Sequence, residues 1–302
     1  MPRAVANLLL LLAGAIWGAA FVSQSTAMES IGPYQFVGFR FLLAGFVVLP
    51  LALFERSRKP TKRLTRQNIP LVLAVSLSFL AGSLLQQVGI LFTSVTNAGF
   101  LTAIYVVLTP IFVILLFKGK PEWVIWPASL ITLLGIFFLS GGNLSGLNKG
   151  DALMVICAAF WALQVIFIGR LSMSTGRPIT IAAIQFLITG AIASVLGLFI
   201  EPLSWAAIEN AAFELFFAGA ISGGIAFTLQ AVAQQWTRPA DAAIFISTEA
   251  LFAALFGIIF LGERIPLIGI AGCLLIFTAI LMTELVPMYF SRKTRLAAKT
   301  SH

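Results

Sequence analysis

The chain has 302 residues, of which 60% are hydrophobic and only 10% charged, against about 25% charged for an ordinary soluble domain. With a mean hydropathy of +1.02, it cannot cover a soluble surface of its size, and a polytopic membrane protein is expected. The net charge of +8 would suggest a nucleic-acid partner in a soluble chain; here the basic residues lie in loops and tails, where they set topology, and no nucleic acid is expected.

The N-terminus resembles a signal peptide, with Arg3 ahead of an apolar run from Leu8. The run continues through Val22, longer than a usual signal core, so a retained first span is expected. Ten apolar segments of membrane length follow one another, at about 4–24, 33–53, 68–91, 96–117, 122–141, 150–171, 178–200, 211–234, 240–261 and 266–287. Breaker residues or charge separate them, among them Gly32-Pro33, Glu55 to Arg66, Lys118 to Pro121, Gly141 to Gly150, Glu201-Pro202, Arg238-Pro239 and Gly262 to Pro266. The third and fourth nearly run together, because Gly89 to Gly99 carries no charge; nine spans is the rival count.

Charge decides between the counts. With ten spans and the N-terminus in the cytoplasm, 16 of the 19 Lys and Arg fall inside: Arg3, six between Arg56 and Arg66, Lys118, Lys120, Arg170, Arg177, Arg238 and four in the tail after residue 290. Only Lys149 and Arg264 lie outside, and Arg40 lies within a span. That is the positive-inside bias, and merging two spans would destroy it. A multi-pass protein of the cell (inner) membrane with both termini cytoplasmic is expected.

The chain also reads twice. AGAIWGAAF at 13–21 recurs as CAAFWALQV at 157–165, pairing Trp17 with Trp161. PYQFVGFRFLLAG from Pro33 aligns with PITIAAIQFLITG from Pro178, TSVTNAGFL from Thr93 with TRPADAAIF from Thr237, and Gly119 falls opposite Gly262. The offset stays at 143 to 145 residues. Each half holds five spans; five is odd, so the second half enters from the opposite face and the repeats are inverted. The expected fold is all-α, ten transmembrane helices as two inverted five-helix repeats (1–145 and 146–290) with a basic cytoplasmic tail at 291–302. Inverted repeats place a site at their interface near the midplane and suit alternating access.

With the Trp17 span, Arg40-Phe41, QQWTRPADAA at 234–243, STEALFAALFG at 247–257 and LGER at 261–264 on the page, the chain resembles the EamA branch of the drug/metabolite transporter superfamily along nearly its whole length. The resemblance implies a ten-helix fold of packed inverted halves and a permease or exporter of small metabolites such as amino acids. The first half departs from the pattern: Lys118-Gly119-Lys120 stands against Gly262-Glu263, and Tyr105 stands opposite Glu249.

Glu249 is the leading site candidate. It lies about nine residues, or roughly 13 Å, into its span, where a carboxylate usually faces a bundle interior or a water-filled path. Asp241, Phe245, Glu249, Phe252 and Phe256 share one helical face. The functional reading is a cavity carboxylate that binds a substrate ammonium or carries a proton; the packing reading is a protonated or paired Glu joining two helices. Arg40, roughly 10 Å down its own span, either pairs with Glu249, binds a substrate carboxylate through its planar fork, or clamps backbone carbonyls. Trp17 and Trp161 are placed to floor a cavity or simply to pack. Tyr105 is expected on a cavity wall, because a buried hydroxyl needs a partner. Gln86, Gln164 and Gln230 face protein or water, since an amide in lipid needs a partner; Gln86 and Gln230 are again offset by 144. Phe245 completes the expected substrate-binding set, and proton coupling is assigned to Glu249 alone.

Other chemistries find no support. The lone histidine is His302 and the two cysteines, Cys157 and Cys273, stand far apart inside apolar runs, so neither a metal site nor a His base is expected and the thiols read as packing residues. GGNLSG at 141–146 lacks the Gly-Lys-Ser/Thr continuation of a phosphate loop. No cofactor and no enzymatic activity are expected. The function expected is a secondary transporter of small organic solutes, exporting by alternating access, possible proton coupling included. The alternatives are an uncoupled facilitator or exchanger, or a lipid-modifying membrane enzyme. The partners expected are a small-molecule substrate and the bilayer, the protein being a monomer or homodimer.

Overall fold

The structure is a computed structural model that describes residues 1–57, 64–139, 148–264 and 267–300, with Leu139, Glu284 and residues 288–300 described by backbone alone. The junction expected at 145/146, the GGNLSG loop and the middle of the basic loop at 58–63 lie outside the described residues. So do the side chains of the basic tail.

Nine of the expected spans are helices of membrane length: α1 (Arg3–Ala27), α2 (Pro33–Ser57), α3 (Ile69–Ile90), α4 (Val95–Phe117), α6 (Lys149–Thr175), α7 (Pro178–Ile200), α8 (Ala212–Ala233), α9 (Pro239–Leu261) and α10 (Ile268–Thr300). The tenth, α5 (Ile125–Leu139), is shorter. The close pair α3 and α4 is interrupted at Leu91–Ser94, where Ser94 caps the new helix by accepting the Asn97 N–H, so the two spans are separate. No strand is present among the described residues.

The two halves pack as partners. α2 lies along α7 and α5 along α10, each the repeat equivalent of the other, while α3 packs on α6 as α1 packs on α8. Small residues make the α2–α7 contact possible: a Cβ on Gly38 would lie 2.6 Å from the Ser194 N, and one on Gly190 would lie 2.6 Å from the Leu42 N. In lipid, such close backbone approach replaces the hydrophobic driving force that is absent between helices. Phe41 and Phe186, aligned by the repeat, stack across this contact with centroids 6.1 Å apart.

Reciprocal caps finish the pair. Glu55, near the end of α2, accepts the Ile179 and Thr180 N–H groups at the start of α7 at 3.2 and 2.7 Å, and the Thr180 hydroxyl at 2.6 Å. Glu201, at the end of α7, accepts the Tyr34 and Gln35 N–H groups at the start of α2 at 3.0 and 2.9 Å. A carboxylate at its own helix C-terminus opposes that dipole at a cost of about 0.3–1 kcal/mol. Here each also sits on the N-terminus of its antiparallel neighbour, where the dipole term reverses sign and charged hydrogen bonds worth about 1.5–3 kcal/mol are gained. The gain exceeds the cost. A second symmetric pair ties the faces: Thr93 donates to Asp151 at 2.7 Å, and Thr237 donates to Asn7 at 3.1 Å, each position 144 residues from its equivalent.

Glu55→Ala and Glu201→Ala should each lower stability by about 1–3 kcal/mol, read as an earlier melting transition in detergent. The two caps share no partner, so the double variant should lose the sum. An unchanged melting point in both single variants would remove the caps from the account of stability.

Candidate functional site

The site is built where α4 and α9 break. α4 is helical over Val95–Thr102 and again from Tyr105, with a turn at Ala103–Ile104; α9 is helical over Pro239–Ile246 and again from Glu249, with a turn at Ser247–Thr248. The turns fall at equivalent repeat positions. In α9 the Ser247 and Thr248 hydroxyls donate to the Ile244 and Phe245 carbonyls at 2.7 and 2.8 Å, competing with the backbone ladder as such residues do. Gly14 and Gly18 of α1 let that helix press on the break, since a Cβ on Gly14 would lie 2.6 Å from Thr248 Oγ1.

Tyr105 and Glu249 therefore each open a half-helix near mid-span. They are also neighbours: the equivalent positions of the two halves meet. Both are buried, and apart from each other Tyr105 Oη and Glu249 Oε1 have no hydrogen-bond partner among the described residues. They line one cavity of about 40 Å³, together with Trp17, Arg40, Gln86, Trp161, Gln164 and Gln230. Phe245, the remaining expected site residue, is buried but is not on this wall.

Arg40 is 3% exposed and does not pair with Glu249. Its Nη1 donates to Gln24 Oε1 at 2.6 Å, its guanidinium lies 4.5 Å from the Phe41 ring centroid and 5.3 Å from that of Phe36, and its Nε has no partner among the described residues. Gln24 is in turn held through its backbone carbonyl, which accepts from Gln87 at 3.0 Å. A neutral acceptor and two ring faces orient the guanidinium without cancelling its charge. The cavity thus holds a buried cation and a buried carboxylate, neither matched by an opposite charge among the described residues.

Aromatic rings form the apolar side. Trp17 and Trp161, equivalent in the repeat, grip Phe227 from two directions with centroids at 4.4 and 5.6 Å, the second pair stacked. Phe79 adds edge contacts to Phe41, Trp161 and Phe227. The Trp17 indole N–H is buried without a partner among the described residues.

The glutamines divide between wall and frame. Gln86 donates to Thr102 at 3.2 Å, and Gln230 donates to Gln164, which donates on to Gln185 at 3.4 Å. Gln234 donates to the Val165 carbonyl at 2.9 Å, a bond between helices. Gln24, Thr102, Ser222 and Phe227 also line the cavity, and sequence reasoning missed them. For Gln24 a signal existed: it is an amide near the end of an apolar span. Phe227 is one of 27 phenylalanines and carried none. Ser222 sits in a π-helical stretch, Phe217–Ala226 of α8, a widened helix often found at functional sites. Its equivalent in α3 is regular α-helix.

No cluster of three or more His, Cys, Asp or Glu capable of holding a metal occurs among the described residues.

The EamA-like transporter family matches residues 4–141 and, a second time, 148–285. An uncharacterized transporter of Archaeoglobus fulgidus is 30% identical over 293 residues, covering 94% of this chain and 87% of that protein. The uncharacterized inner membrane transporter YedA of Escherichia coli is 31% identical over 185 residues, 59% of this chain and 56% of that one. One crystal structure of a protein superposes with a TM-score of 0.77 over 96% of this chain and 99% of its own, at 16% identity, a likeness of fold alone. Two matches to one family, one on each five-helix half, agree with the repeat read from the helices: the chain belongs to the EamA-like transporter family.

Proposed function

We propose that this transporter carries small zwitterionic metabolites, amino acids foremost, by alternating access at the central cavity. One observation carries the reading: Arg40 and Glu249 line the same buried cavity, and neither meets an opposite charge among the described residues. A lone buried charge is costly. A substrate with an ammonium and a carboxylate compensates both at once, the ammonium at Glu249 and the carboxylate at the Arg40 fork. Trp17, Phe227 and Trp161 then receive an apolar side chain, and Tyr105, Gln86, Gln164 and Gln230 supply hydrogen bonds.

In this reading Glu249, buried beside Tyr105, also carries the coupled proton: it releases one to water as the substrate ammonium binds and takes one up when the ammonium leaves. Its repeat equivalent is that tyrosine, so coupling runs through one half only. The face that carries Arg3 is the cytoplasmic one, on the strength of Lys118, Lys120, Arg170, Arg177 and Arg238, which all lie at that face. The relative YedA is named as an inner membrane transporter, in keeping with that location. Export from the cytoplasm is the direction proposed.

Purified protein in liposomes should exchange labelled neutral amino acids. Amines and carboxylic acids that lack one of the two charges should move at least about tenfold more slowly, the loss of one charged contact. Arg40→Gln should erase discrimination against the amine, and Glu249→Gln discrimination against the acid. An amine that moves as fast as its amino acid in the native protein would sink the zwitterion reading. For coupling, a pH dye inside the vesicles should respond during net substrate movement and fall silent in Glu249→Gln; substrate movement with a silent dye in the native protein would rule coupling out.

A further inference from the structure

The repeat gives the two mouths of the cavity equivalent parts, and one part is missing on one side. At the face opposite Arg3, here the far face, α9 ends at Gly262 with a φ of 67°. That left-handed residue turns the chain back, and the Glu263 N–H donates to the Gly257 carbonyl at 3.1 Å. The turn carries the Glu263 carboxylate over Gly257, where a side chain would intrude at 2.8 Å. From there it reaches the start of α4. Val95 N–H donates to Oε1 at 3.0 Å, Thr96 N–H donates to Oε2 at 3.2 Å, and the Thr96 hydroxyl donates to the same oxygen.

The other face repeats the turn without the carboxylate. Lys118 takes the left-handed position at φ 50°, and the Gly119 N–H donates to the Val113 carbonyl at 3.0 Å, 144 residues from each counterpart. Lys118 is thus the structural equivalent of Gly262, one residue away from the pairing of Gly119 with Gly262 expected from sequence. Gly119 stands in the place of Glu263, so this turn brings no carboxylate to the start of α9. Beside the Thr237–Asn7 bond, which Thr93–Asp151 repeats at the far face, this mouth is held by two ion pairs, Arg238 with Glu122 at 2.7 Å and Arg3 with Asp241 at 2.9 Å. The Arg238–Glu122 pair is exposed, at 60% and 32% of the two side chains, and such a pair contributes little; Arg3 is 39% exposed and holds the buried Asp241 through a single contact. Glu263 is half-buried and binds a helix N-terminus through three donors, which is the stronger arrangement.

We infer that Glu263 is the positioning residue that latches the far mouth, so that the resting transporter opens toward the Arg3 face and takes its cargo there. It acts through α4, whose far end it ties to α9, and these are the two helices that present Tyr105 and Glu249 to the cavity. The inference rests on the alternating-access reading above and adds which mouth opens first.

The test reads sidedness without substrate. In a background with Cys157→Ala and Cys273→Ala, Ser222→Cys places one thiol on the cavity wall. A membrane-impermeant maleimide is applied to either face in vesicles of each orientation. The thiol should react from the Arg3 face in the resting protein. Glu263→Gln should raise labelling from the far face about tenfold, as expected for losing a charge-assisted cap. Thr96→Val keeps the shape, drops one of the three donors and should shift sidedness the same way by less. Glu201→Gln removes a carboxylate cap at the same face from the α2–α7 pair and should lower the melting point without changing sidedness. The latch is overturned if a folded Glu263→Gln labels with native sidedness, if Thr96→Val does not follow it, or if Glu201→Gln shifts labelling as much. Because no substrate is used, failure of the amino-acid transport assay leaves this result standing, and failure here leaves that assay untouched.

Discussion

The contact of α2 with α7 is the constraint on which the other helices depend. It joins equivalent helices of the two halves, antiparallel, with glycines at the points of closest approach. It also carries Glu55 and Glu201, each capping the helix that the other ends. A carboxylate at a helix C-terminus is unfavourable in isolation, and an uncapped N-terminus leaves donors without partners. Laying the two helices antiparallel resolves both defects at both ends. Because the bonds run between the halves, neither half completes its helix ends alone. The joined pair is a spine against which α3, α6 and α8 pack.

On this symmetric frame, charge is where the halves differ. Arg40 stands equivalent to Gln185, Glu249 to Tyr105, Asp151 to Asn7 and Glu263 to Gly119. In each case one half has a carboxyl or guanidinium group and the other has none. Asp151 and Asn7 make the same bond to equivalent threonines, so the geometry tolerates either. The inverted repeat would make the two faces interchangeable if the sequences were identical. The charge differences are therefore where sidedness, substrate charge and any coupling must originate, because the backbone cannot supply them.

The spans and the repeat were legible in sequence because each leaves a periodic trace: apolar runs of bilayer length, and residue types that return after about 144 positions. Trp17 with Trp161, and Tyr105 opposite Glu249, followed from that register. Other features left no trace. Glu55 and Glu201 read only as charged breaks between spans, since nothing local says which helix end they will meet. The 240–261 run looked continuous, yet α9 turns at Ser247–Thr248, where two adjacent hydroxyls compete with the ladder and α1 presses close. Arg40 was weighed as a partner of Glu249; it is held by Gln24 from the neighbouring α1 instead. The register at Gly119 slipped by one because a lysine, not a glycine, adopts the left-handed turn.

By itself the sequence determined the solvent, the number of spans and the inverted duplication, because hydrophobic length and an odd number of spans per repeat are properties of the chain read in order. It also placed a carboxylate and a guanidinium at membrane depth. Only the tertiary structure decided that the two share a cavity without pairing, that Tyr105 and Glu249 face each other across the halves, and that Glu263 reaches the start of α4. Those facts depend on which helix faces lie against which. Small residues and capped helix ends brought together from 100 or more positions apart set that choice, and hydropathy does not encode it.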